Sequence, residues 1–76
     1  MEKQYTYKKG VEIMTAEEEK VINEIKGTDL TYMIRPCYTG WGIYKPLGLN
    51  RAEVILTSEN EDDLRKVLRI AGVEYV

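Results

Sequence analysis

Pro36-Cys37-Tyr38-Thr39-Gly40-Trp41-Gly42-Ile43-Tyr44-Lys45-Pro46-Leu47-Gly48-Leu49-Asn50-Arg51 is the stretch on which the fold of this chain turns. It holds both prolines, three of the six glycines and three of the seven aromatic residues. Taken as a connection between two extended segments, it splits the chain into two β-α-β units. Taken as carrying a strand over Trp41 to Lys45, it makes the order α-β-β-β-α. Long connections are uncommon in compact domains and usually carry binding residues when they occur, and the aromatic, glycine and basic content of this one favours the first reading.

On either side of it lies a pattern that occurs twice. Val11-Glu12-Ile13-Met14-Thr15-Ala16-Glu17-Glu18 matches Val54-Ile55-Leu56-Thr57-Ser58-Glu59-Asn60-Glu61 in kind: an apolar extended run, a hydroxyl residue, then acids. Thr15 and Ser58 each stand three before a glutamate, the capping-box spacing that satisfies free amides at a helix start. Acids in the first turn also oppose the positive end of the helix. Two helices follow, over about 15 to 26 and 59 to 71. The second has Leu64, Val67, Leu68 and Ala71 in one stripe, and the first has only the narrower Val21, Ile22 and Ile25. Gly27 and Gly72 are expected to close them.

Alternation with a period of two marks the strands. Tyr5, Tyr7, Val11 and Ile13 predict a strand over 4 to 14, with Gly10 as a bulge or turn. Leu30, Tyr32, Ile34 and Tyr38 predict one over 29 to 38, and further strands are expected over 52 to 57 and 73 to 76. The fold class is therefore α+β, a single domain over residues 1–76. Its expected architecture is a ferredoxin-like split βαβ arrangement (β-α-β-β-α-β), with an antiparallel sheet and two helices on one face. The alternative is α-β-β-β-α. The other sheet face is expected to carry Thr6, Lys8, Glu12, Thr31, Met33, Arg35, Cys37, Glu53, Ile55 and Thr57, a mixed surface suited to a second copy or a ligand.

Composition removes several function classes. Seventy-six residues suffice for one core, and 43% hydrophobic with 32% charged residues is ordinary for a globular chain. No apolar run approaches the length of a membrane span, and residues 1 to 4 do not resemble a signal peptide, so a cytoplasmic location is expected. A net charge of −2 disfavours general nucleic-acid binding. There is no histidine and one cysteine, Cys37, so Ser-His and Cys-His pairs and a structural zinc site are out. No catalytic residues, metal or cofactor are expected, and the protein is read as a non-enzyme.

The glycines do not spell a phosphate loop. Thr39-Gly40-Trp41-Gly42-Ile43-Tyr44 resembles six residues of the RNA-recognition-motif signature, but lacks its leading basic residue, has Ile43 for an aromatic and places Pro46 at the later aromatic position. No family follows from it. The residues left for function are Arg35, Tyr38, Gly40, Trp41, Gly42, Tyr44, Lys45 and Arg51. Flat side chains for stacking, flexible backbone and cations together suit a small anionic, nucleotide-type ligand to be bound or sequestered, by a protein expected to be a homo-oligomer. The alternative is a protein-protein inhibitor or adaptor using the acidic helix starts, Glu17, Glu18, Glu61 and Asp62, against a basic host protein. Short acidic chains of this build look like many encoded by phages and mobile elements. A buried Trp41 would favour the partner surface over the ligand.

Overall fold

The computed structural model describes residues 5–6 and 14–76. Two short strands, β1 (Tyr5–Thr6) and β2 (Met14–Thr15), pair antiparallel, with Tyr5 opposite Thr15. Then come α1 (Ala16–Ile25), β3 (Thr31–Cys37), β4 (Gly40–Gly48), β5 (Arg51–Ser58), α2 (Glu61–Ala71) and β6 (Glu74–Tyr75). The main sheet is mixed, in the order β5-β4-β3-β6, antiparallel except for the β3–β6 pair.

The class is α+β, but the order is not ferredoxin-like. Residues 14–15 pair with 5–6 in a separate two-stranded sheet instead of supplying the first strand of the main one. The rest of the strand expected over 4 to 14 lies outside the described residues. The 36–51 stretch is no loop: it is the end of β3, a Tyr38-Thr39 turn, the whole of β4 and a second turn at Leu49-Asn50. Trp41 to Lys45 form a strand because Ile43, itself fully buried, has apolar neighbours on both sides, buried Ile34 across on β3 and half-buried Leu56 across on β5, and this outweighs the proline and glycine signals around it. Pro46 is accommodated at an irregularity in the ladder, between Pro46 and Gly48. The described order is thus α-β-β-β-α with a further strand after α2.

One face of the main sheet is covered by both helices. Val21, Ile22 and Ile25 of α1 and Leu64, Val67 and Leu68 of α2 close over Tyr32, Ile34 and Ile43 in one buried cluster. Leu30, Trp41, Ile55, Leu56, Ala71 and Val73 pack around it. Tyr32 brings a hydroxyl into this core, and a relay satisfies it. Thr28 gives its hydroxyl proton to the Ile25 carbonyl at 2.7 Å, so the Tyr32 hydroxyl donates to Thr28 Oγ1 at 2.9 Å.

The Thr15 capping box forms as expected: the Glu18 amide donates to Thr15 Oγ1 at 3.1 Å, and the Thr15 amide to Glu18 Oε1 at 2.9 Å. Its counterpart at Ser58 does not. The second helix starts two residues later than expected, at Glu61. Asn60 is its cap and accepts from the Asp62 amide at 2.9 Å, while Ser58 Oγ accepts from the Asn60 amide. Asn60 wins because β5 runs on through Ser58, which leaves that residue in the ladder. Gly72 ends α2 with φ 77, whereas α1 ends on an extended Lys26, with Gly27 one residue beyond.

The β4–β5 turn carries strain. Leu49 and Asn50 both have positive φ, 51° and 64°, the geometry of a type I′ hairpin turn. Asparagine tolerates it; leucine does not, and Leu49 is 94% exposed, so burial returns nothing. Leu47, on the strand side of the same turn, is exposed as well. Leu49→Asn is expected to raise stability by about 1 kcal/mol, read as a melting point roughly 4 to 8 °C higher.

Candidate functional site

The side of the sheet away from the helices is where most of the surviving candidates lie. On β3, Ile34 faces the core, so Met33, Arg35 and Cys37 face outward. On β4 the alternation puts Gly42 and Tyr44 outward, opposite Arg35 and Met33. On β5 a bulge at Ile55 resets the alternation. Leu56 stands opposite Ile43 on the core side, while Val54 stands opposite Tyr44 on the open side. This corrects the expected face: Glu53 and Ile55 leave it and Val54 joins it, because one inserted residue exchanges the two faces of a strand. Val76 lies beside Met33, its carbonyl accepting from the Ile34 amide at 3.1 Å and its amide donating to the Tyr32 carbonyl at 2.9 Å.

The result is an apolar row across all four strands: Val76, Met33, Tyr44, Val54. Val76 and Val54 are exposed and the two between are half-buried. Gly42 gives the row its shape. A Cβ there would stand 3.1 Å from Val54 Cγ2 and 3.4 Å from Tyr44 Cε1, so the Tyr44 ring leans over the bare glycine beside Val54. Toward the β4–β5 turn the same side continues through Pro46 and Ala52, paired across the strands, and the turn beyond carries exposed Leu47 and Leu49. Toward the other turn, Pro36, Cys37, Tyr38 and Tyr44 line a shallow hollow of about 460 Å³, with Tyr38 fully exposed.

Of the eight residues read as a ligand site, Arg35, Tyr38, Gly40, Gly42 and Tyr44 share this region, Gly40 standing opposite Cys37. The others do not join them. Trp41 is turned to the helix side, half-buried against the core, and Lys45 follows it on that side, opposite Glu53. Arg51 stands beside Gly48 at the far turn, a strand length from Tyr38 and Gly40. Arg35 is partly engaged by its own backbone: Nη1 donates to the Ile34 carbonyl at 2.9 Å and to the Val76 carbonyl at 3.4 Å, tying β6 to β3. Met33 stands on the face expected to take a second copy or a ligand; Val54 and Val76 are additions to it. Met33 is legible from the alternation of β3, Val76 depends on the pairing of β6 with β3, and Val54 depends on the bulge.

The acidic helix starts form a second feature. Both open at the same end of the molecule, around a groove of about 610 Å³ whose lining includes Glu17, Glu18, Thr39, Glu59, Asp63 and Lys66. Glu61 and Asp62 are not part of that lining; Glu61 is paired with Arg65 at 2.7 Å, and Asp62 is exposed. Among the described residues no group of three or more histidine, cysteine or carboxylate side chains is placed to hold a metal ion. No described helix is long and apolar enough to cross a membrane.

No family model, curated protein or solved structure matches this chain.

Proposed function

We propose that this protein acts without catalysis, by docking another protein on the open face of its sheet. The observation that carries the reading is the row Val76, Met33, Tyr44 and Val54, extended by Pro46 and Ala52. Contiguous exposed apolar surface of this kind is what interaction sites present, and the Tyr44 ring braced on Gly42 offers a preformed aromatic contact at low entropic cost. The partner is an apolar, weakly charged patch.

Capture of a small planar anion is served less well by the same geometry. Trp41 and Tyr44 occupy opposite sides of one strand, and Arg35, Lys45 and Arg51 are dispersed over a face, the other face and a turn. One small molecule cannot stack on both rings and meet all three cations. Titration with a nucleotide panel is expected to leave Trp41 emission unmoved; a saturable shift with one member would restore the small-anion reading. A basic partner segment at the groove between the helix starts is a second reading, favoured by the convergence of Glu17, Glu18, Glu59 and Asp63 there.

A photo-crosslinking residue at Met33, compared with one at Glu59 and one at Arg65 on the outer side of α2, separates these. Products heavier than two copies of the chain are expected from position 33 and not from 65. Products from 59 alone would transfer the function to the acidic groove, and equal yields from all three would defeat both readings.

A further inference from the structure

Independently of what docks on the open face, we propose that two copies of this chain join edge to edge through the first half of β5, with a two-fold axis at Ala52. β5 is the outer strand of the main sheet, and among the described residues no strand pairs with its far side. Arg51, Ala52, Glu53 and Val54 are all exposed. Beyond them the bulge at Ile55 breaks the ladder, and α1 flanks the strand, with Lys20, Val21 and Glu24 lining a groove against Ile55 and Leu56. The free edge is thus four residues of regular backbone whose outward amides and carbonyls call for a partner strand.

Charge and register together select the partner. In an antiparallel pair, directly opposed residues point to the same face, so a two-fold axis normal to the sheet must stand at a residue and not between two. An axis at Arg51 would set arginine against arginine, and one at Glu53 would set glutamate against glutamate. An axis at Val54 would place the bulged Ile55 across from Glu53. The axis at Ala52 alone sets Arg51 against Glu53 of the second copy, twice by symmetry, with the small Ala52 side chains meeting at the centre. Among the described residues neither Arg51 nor Glu53 has an ion-pair partner within the chain. The same axis brings the turn at Leu49, exposed and strained, level with Ile55 of the second copy. It keeps both open faces on one side and so doubles the width of the apolar surface.

Sedimentation over a concentration series tests this with Arg51→Glu and Glu53→Arg, each checked for an unchanged circular dichroism spectrum. The wild-type chain is expected to self-associate, less so as salt is raised. Each single reversal sets like charges opposite one another and is expected to weaken association by about tenfold or more. Mixing the two single variants restores complementary pairs at both positions and is expected to give a heterodimer, and the double variant is expected to recover self-association. A wild type monomeric at every concentration overturns the proposal, whether or not it takes up extended peptides of other sequence. So does a dimer indifferent to both reversals, or a mixture of the two variants that associates no better than either alone.

Discussion

Gly40→Ala is expected to destabilise the protein by about 2 to 5 kcal/mol, most of what a domain of this size has to lose. Gly40 opens β4 directly after the Tyr38-Thr39 turn, with φ 132°. A side chain is strained there whatever the space around it. The space is also absent: a Cβ would lie 2.7 Å from the Ser58 carbonyl oxygen and 2.8 Å from Glu59 Cα. Both are backbone atoms, so relief requires moving the strand end that leads into α2 rather than rotating a side chain. Thermal melting followed by circular dichroism should show a midpoint lower by on the order of 10 to 20 °C. Gly42→Ala is the instructive comparison, because its close neighbours are the side chains of Val54 and Tyr44, which can yield. A Gly40→Ala midpoint within a degree or two of wild type would mean that the turn is not built as described.

Leu68→Ala is expected to cost about 2 to 5 kcal/mol through lost burial and the cavity left behind. Leu68 is fully buried between the helices and the sheet, and its carbonyl also accepts the closing bonds of α2 from Gly72 at 3.0 Å and Val73 at 3.3 Å. Those backbone bonds survive the substitution, so the loss measures packing alone. Arg65→Ala, which removes an exposed pair with Glu61 on the same helix, should cost only a few tenths of a kcal/mol. Equal effects from the two in urea unfolding would place the core elsewhere.

The helices were legible because their signals are local. Thr15 with Glu18, and Leu64 with Val67 and Leu68, fall at spacings that have one structural meaning, and both helices are found within two residues of where those spacings put them. The sheet was harder because its decisive facts are non-local. Nothing within 36–51 announces that Ile43 will be enclosed by Ile34 on one side and Leu56 on the other, and it is that enclosure which makes β4 a central strand. The site suffered most from parity. Aromatics and cations close in sequence suggest one cluster, yet in a strand neighbours point to opposite sides, so Trp41 and Tyr44 part company. The bulge at Ile55 then moved Val54 to the open face, and no composition rule foretells a single inserted residue.

The parallel pairing of β6 with β3 has a kinetic consequence. β3, β4 and β5 find one another through tight turns, so their ladder can zip from adjacent segments, while β6 must return to a partner about forty residues upstream, a slower closure that waits for the helix before it. A ladder formed last and this short, even with the two bonds that Val76 adds, is expected to open readily. Whenever it does, the flank of β3 is bared, a transient second edge beside the one on β5 that no described strand covers.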